Sequence, residues 1–285
     1  MDHKTVSLVL GSGGARGMAH IGIIQWLEEN DYKIQSVSGC SMGALIGGFY
    51  AAGRLDNYID WLRQLDILGM LRVVDFKGSG GLVSGESLMI KMEELVGDHK
   101  IEELPIKFTA VASDVQEEKE IWMNEGSLLS AIRASISLPL FFTPHLYNGR
   151  LLVDGGVLNP VPIAPTFHDN TDLTIAVNLG GKVDLNIVPA EQKDDKSVSS
   201  KIKEYLSQFA LPEAITLETG VYQVADNSFD AMQGTIARVK LAAYPPDVEI
   251  EIPRNLCGTL EFNRADEMIA YGYELCVKLH KEGAL

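Results

Sequence analysis

The sequence predicts an α/β protein with a mainly parallel central sheet and helices on its faces. Three observations carry that expectation. Short apolar runs alternate with helical periodicity from the start of the chain: Thr5 to Leu10, then Met18 to Asn30, then Ile34 to Ser38, then Ala44 to Ala52. Both strand-to-helix junctions in this stretch are rich in glycine, Gly11-Ser12-Gly13-Gly14-Ala15-Arg16-Gly17 and Gly39-Cys40-Ser41-Met42-Gly43. Strands separated by helices pair most simply in parallel, through crossovers that cover the sheet faces.

The elements follow in order. Thr5-Val6-Ser7-Leu8-Val9-Leu10 reads as a buried strand. Met18 to Asn30 reads as a helix with Ile21, Ile24 and Leu27 on one face. The second strand leads into Ser41, and Gly53 ends the small apolar helix that follows it. From Asn57 to Val74, Tyr58, Trp61, Leu62, Leu65 and Leu68 recur at helical spacing until Gly78-Ser79-Gly80-Gly81 breaks the pattern. Ser84 is the expected N-cap of a helix running to about Val96 and stopped by Gly97. Residues 54–100 are therefore a helical insertion, placed where a lid could sit; ordinary core packing of Trp61 and its neighbours is the competing reading.

Lys107 to Ser113 and Glu120 to Met123 are strands joined by a charged turn, Asp114 to Lys119, as in a hairpin. Ser127 to Ala134 is a short helix, Arg150 to Val153 a strand running into Asp154-Gly155-Gly156, and Asp172 to Leu179 a buried strand. Gly180 to Ser200 is polar and charged and reads as a loop. Ile202, Tyr205, Leu206 and Phe209 share a helical face, and Pro212 opens a periodic stretch to about Ala243. Val248, Ile250 and Ile252 alternate with acidic residues, as a strand with one solvated face does, and Asn263 is the expected cap of a last helix to about His280. The division that follows is a catalytic unit at 5–180 and a mostly helical extension at 181–285 packed on the same domain.

Composition narrows the function. The 285 residues can bury a sizeable core, and the formal net charge of −15 disfavours nucleic acid and anionic lipid surfaces as partners. Any membrane contact would be transient, peripheral and hydrophobic. The three cysteines, Cys40, Cys257 and Cys276, have no metal-ligand or disulfide spacing, which suits a reducing, cytoplasmic compartment. Met1-Asp2-His3-Lys4 does not read as a signal peptide, and no stretch approaches the ~18 apolar residues of a membrane span. No metal or cofactor is expected, and the oligomeric state is not legible.

Ser41 is the candidate nucleophile. It sits in a G-x-S-x-G sequence between a strand and a helix, the context of a nucleophile elbow. Gly39 and Gly43 leave room for the turn, which sets Oγ at a helix N-terminus. The first glycine loop could supply an oxyanion hole, because Gly13 and Gly14 let backbone N–H groups approach a reacting oxygen. Arg16 beside them either contacts substrate or ties the loop to a carboxylate. A dinucleotide-binding loop fits less well: Ser12 and Arg16 spoil the G-x-G-x-x-G spacing, and the second strand ends at Gly39-Cys40-Ser41 rather than at an acid. A phosphate-binding P-loop fails for lack of G-K-[S/T]. The base has two candidates. Ser41, Asp154 and His168 follow the hydrolase chain order, yet His168-Asp169-Asn170 also reads as a polar surface turn. Asp154 ends an apolar strand beside Gly155 and Gly156, where partial desolvation would raise its proton affinity.

Four blocks together resemble a known family: the glycine loop Gly11 to Gly17, the elbow Gly39 to Gly43, Ala134-Ser135-Ile136-Ser137-Leu138-Pro139, and Asp154-Gly155-Gly156. In this order and at these separations they look like the patatin-like phospholipases, with the closest likeness to the bacterial branch related to the esterase domain of neuropathy target esterases. The likeness spans about Val6 to Leu179 and is weaker beyond. It implies a three-layer α/β/α fold related to α/β-hydrolases and hydrolysis of acyl-ester or phospholipid substrates. It also implies a Ser41–Asp154 dyad without histidine and an oxyanion hole from the backbone of Gly13 and Gly14. Gly11, Arg16, Gly17, Gly39, Gly43, Gly155 and Gly156 then support that site. Ser12 departs from the pattern, since many members carry glycine there. Two further functions stay open on the same fold: a non-catalytic acyl-lipid or partner-binding module, and an acyltransferase.

Overall fold

The computed structural model describes residues 3–64, 83–187 and 219–285. Its centre is an eight-stranded mixed sheet in the order β5-β6-β3-β2-β1-β7-β8, with β4 paired to β3. The strands are β1 (Lys4–Leu10), β2 (Tyr32–Cys40), β3 (Lys107–Asp114), β4 (Lys119–Met123), β5 (His145–Tyr147), β6 (Arg150–Asp154), β7 (Leu173–Gly181) and β8 (Val248–Pro253). The run β3-β2-β1-β7-β8 is parallel throughout. β4 and β6 are antiparallel to β3, and β5 is antiparallel to β6. The charged turn between β3 and β4 closes a hairpin, as its sequence suggests, with Asp114 opposite Lys119.

The helices are α1 (Ala19–Glu29), α2 (Met42–Ala51), α3 (Leu55–Gln64), α4 (Glu86–Val96), α5 (Leu128–Ser135), α6 (Thr219–Ala243) and α7 (Ala265–Lys281). Side-chain alternation sorts them onto the two sheet faces. Val6, Leu8 and Leu10 of β1, with Ile175, Val177 and Leu179 of β7, enter the large core beneath α1, α2 and α7. Val9 and Ala176, pointing the other way, meet Ala237 and Leu241 of α6 and Val161 and Ile163 of a connecting segment. The result is three layers with the sheet in the middle. α1 and α7 pack closely because glycine allows it: a Cβ at Gly22 would stand 1.9 Å from the Ile269 carbonyl oxygen, and one at Gly272 2.1 Å from that of Ala19.

Two local expectations change, and one hairpin is added to the elements expected from the sequence. Gly85, in a left-handed conformation with φ 76°, is the N-cap of α4, while Ser84 accepts the Glu86 N–H from one residue further out. Arg264 occupies the N-cap of α7 in place of Asn263, because a short 3-10 turn at Phe262–Arg264 leads into the helix. The hairpin β5–β6 turns on Asn148-Gly149, with φ 48° and 80°, the pattern of a type I′ turn. In the insertion, Trp61 is half-buried against the core and stacks on Tyr58, which stacks on Phe49. Leu65 and Leu68, the helical stretch beyond Gln64, and the helix expected around Ile202 to Phe209 lie outside the described residues.

Candidate active site

β2 and α2 meet at Ser41 in a turn no regular element tolerates. Ser41 has φ 55° and ψ −122°, and it caps α2. Such a conformation costs on the order of 1–3 kcal/mol and persists only where the surroundings fix it. The flanking glycines are part of that fixing. A Cβ on Gly43 would lie 2.0 Å from the Leu10 carbonyl oxygen, and one on Gly39 2.3 Å from that of Gly43, so neither position admits a side chain. A third restraint comes from α5. The Ser135 hydroxyl accepts the Ser41 N–H at 2.9 Å and donates to the Val111 carbonyl at 2.6 Å, tying the elbow to β3.

β6 delivers Asp154 to the same point. Its backbone N–H donates to the Ser137 carbonyl at 2.9 Å, and Ala112 of β3 is its sheet partner. The Ser41 hydroxyl donates to Asp154 Oδ2 at 2.6 Å, and the Gly156 N–H donates to Oδ1 at 2.7 Å. Asp154 is fully buried and Ser41 is 8% exposed. Burial pushes the Asp154 pKa up from 3.8 to about 6, against the pull of the two hydrogen bonds. The adjoining Cys40 thiol is buried, and its pKa is raised first by burial and then by the Asp154 charge, which leaves it an inert neighbour.

The glycine loop follows β1 and packs against the C-terminal part of β7 and the start of α2. The N–H groups of Gly11, Ser12 and Ala15 donate to the carbonyls of Val177, Pro160 and Thr259. Among the described residues, those of Gly13 and Gly14 have no such acceptor. Gly13 presses on Leu179, Gly17 on Met42, and Gly155 on the Val111 carbonyl, with no room for a Cβ at any of them. Arg16 is buried and faces away from open solvent. Its guanidinium donates to the carbonyls of Arg254 and Cys257 at 3.2 and 3.0 Å and pairs with Asp230 of α6 at 3.0 Å. His20, buried in α1, bonds the Gly11 carbonyl through Nε2 at 2.9 Å, and burial lowers its pKa to about 4, so it is a neutral donor there.

His168 is elsewhere. It is exposed beside Asp169, which accepts from Ser7 and pairs with Lys107 at the start of β3. Ser7 is level with Ser36 on β2, and the strand from Ser36 to Ser41 spans about 16 Å. The two lie toward opposite ends of the sheet.

The model of the patatin-like phospholipase family matches residues 8–167. The chain belongs to that family. A protein of Mycobacterium tuberculosis described as an uncharacterized NTE family protein is 36% identical over 325 residues, covering 96% of this chain and 90% of its own length. The lysophospholipase NTE1 of Pyricularia oryzae is 29% identical, and this chain corresponds to 19% of it. Among solved structures, VipD from Legionella pneumophila shares the fold, with a TM-score of 0.54 over 99% of this chain and 67% of its own, at 14% identity.

Two contributors to this patatin-like site had no sequence signal of their own. Ser135 lies within one of the four blocks, but nothing in the sequence tells that its hydroxyl bridges the elbow to β3. Gln233 lies far outside them on α6, and its amide Nε2 donates to Ser12 Oγ at 3.1 Å. The nearest hint was Ser12 itself, a hydroxyl where glycine is usual. No helix among the described residues is long and apolar enough to cross a membrane, and no cluster of possible metal ligands occurs among them.

Proposed function

We propose that this chain is a serine hydrolase of lipid acyl esters, of the phospholipase A or lysophospholipase type, working through a Ser41–Asp154 dyad. The observation that carries the reading is the buried 2.6 Å hydrogen bond from the Ser41 hydroxyl to the Asp154 carboxylate. Asp154 accepts the hydroxyl proton as Oγ attacks the ester carbonyl. The N–H groups of Gly13 and Gly14 hold the resulting oxyanion, each contributing ~3–4 kcal/mol to the transition state. The tetrahedral intermediate collapses, the Asp154 carboxyl returns the proton to the departing alkoxide, and an acyl-serine remains. Water then gives its proton to Asp154 and attacks the acyl carbon. Collapse releases the fatty acid and restores the serine hydroxyl. The free, buried state of the three cysteines supports a reducing compartment such as the cytoplasm.

The test is hydrolysis of p-nitrophenyl esters together with fluorophosphonate labelling. Ser41→Ala and Asp154→Asn should each lower kcat by about a thousandfold or more, and His168→Ala should match wild type. Folded wild-type protein that neither labels nor hydrolyses any ester would refute the hydrolase reading in favour of an acyl-lipid-binding module. Faster product formation with an added alcohol acceptor than with water alone would point to acyl transfer.

A further inference from the structure

Beside Asp154 the surface opens into a groove of about 710 Å³. Leu138, Pro139 and Leu140, following α5, supply one part of its lining, and Phe229, Met232 and Ile236 of α6 supply another. Gly156, whose N–H is bonded to Asp154, and Gln233, whose amide is bonded to Ser12, complete it next to the dyad. We infer that this groove holds the acyl chain of the substrate and that α6 sets which chain lengths fit. The inference rests on the esterase reading above.

The lining is the first reason. Among the described residues, only Gln233 and Thr235 bring polar side chains to it and no charged side chain lines it, so the lining suits hydrocarbon better than a phosphate or ammonium headgroup. Its position is the second. Gly156 belongs at once to the groove wall and to the hydrogen bonds of Asp154, so a chain lying in the groove brings its carbonyl end to Ser41. The third is the helix. Phe229, Met232, Gln233 and Ile236 follow an i, i+3, i+4, i+7 pattern and so form one stripe of α6. The helix carrying that stripe is held in place by two polar contacts: Asp230, next to Phe229, pairs with Arg16, and Gln233 of the stripe reaches Ser12. Both partners belong to the glycine loop, so the wall that measures the chain is fixed to the loop that faces the reacting carbonyl. Exposure is the fourth. Leu140 is 70% exposed and Met232 56%, and a bound chain covers apolar surface that water otherwise meets. Because α6 lies beyond residues 8–167, chain-length choice belongs to a part of the molecule outside the matched family region.

The experiment compares kcat/KM for p-nitrophenyl butyrate and decanoate. Burial of each added methylene raises the wild-type value by up to about fourfold. Ile236→Trp and Met232→Trp, which fill the groove, should lower the decanoate-to-butyrate ratio by at least about tenfold. Met232 is exposed enough to accept Trp if the Ile236 variant fails to fold. Val239→Trp, on an exposed position of α6 that does not line the groove, should keep the wild-type ratio. A second arm dispenses with turnover: pyrene-labelled decanol should bind Ser41→Ala saturably, and adding Met232→Trp should weaken it by about tenfold. Ser41-dependent hydrolysis with a ratio and a probe affinity indifferent to both groove substitutions overturns the inference and leaves the hydrolase reading standing. Met232-dependent probe binding without hydrolysis of any ester does the reverse.

Discussion

A carboxylate that takes a proton from a serine needs a high affinity for that proton, and burial supplies it at Asp154. In the proposed mechanism its pKa, raised to about 6, would set the working range: a protonated carboxyl could not serve as the base, and competence would rise as pH passes that value. The expected pH profile of kcat/KM on a soluble ester is a single ascending limb centred near pH 6 with a plateau through pH 8. A limb governed instead by an ordinary histidine would shift with His168→Ala, which the exposed position of that residue argues against. The same raised pKa has a stability cost of the opposite sign. The folded state holds the Asp154 proton more tightly than the unfolded chain, so this group stabilises the fold most at low pH and its contribution is lost as pH rises from about 4 through 6. The gap between 3.8 and about 6 corresponds to roughly 3 kcal/mol at pH 8. Asp154→Asn keeps the shape and removes the charge. Its urea midpoint should exceed that of wild type at pH 8, and the difference should vanish toward pH 4, while activity is absent throughout.

At the scale of elements, the site is a junction held from several directions, and each restraint can be cut separately. Ser135→Ala strands two buried groups at once, the Ser41 N–H and the Val111 carbonyl. At about 1–3 kcal/mol each, the loss of stability should be about 2–6 kcal/mol in urea, with a drop in the rate of fluorophosphonate labelling. Asp230→Ala leaves the buried Arg16 guanidinium without its counter-charge and should cost about 2–3 kcal/mol. It should also slow labelling of Ser41, although Asp230 sits on α6, because Arg16 belongs to the glycine loop. The strands and the elbow were legible in the sequence because their signals are local: the apolar run of β1, the alternation of β8, and the glycines flanking Ser41. The hairpin at Asn148-Gly149 has an equally local signal in its Asn-Gly pair, but His145-Leu146-Tyr147 is too short to show the periodicity of a strand. Gln233 and Asp230 had none. Their partners are more than two hundred residues away, and no spacing rule reaches across a fold.

For the whole molecule the governing quantity is the net charge of −15. Such a charge should repel anionic interfaces and leave neutral ones unaffected. Hydrolysis of a lysophospholipid dispersed in anionic micelles should therefore rise several-fold when salt increases from about 0.05 to 0.5 M, as the screening length falls from roughly 14 to 4 Å. In zwitterionic micelles the rate should stay level, and a salt response there would speak for a specific ionic contact instead.

The order of strands carries a consequence for how this protein is made. β1 has β2 on one side and β7 on the other, while α1 rests on α7, the last helix of the chain. At ~5–20 residues per second, synthesis separates the emergence of β1 from that of α7 by about 15–50 seconds. Throughout that interval the apolar face of α1 waits for α7, while the open edge of β1 is covered sooner, once β7 has emerged. The glycine loop lacks its Arg254, Cys257 and Asp230 contacts for most of that time. A nascent chain stalled before α6 would thus present to chaperones a bare β7 edge, its partner β8 not yet made, and a Ser41 slow to react with fluorophosphonate. The surroundings of the glycine loop would be assembled only after α6 and α7 have joined the strands made before them.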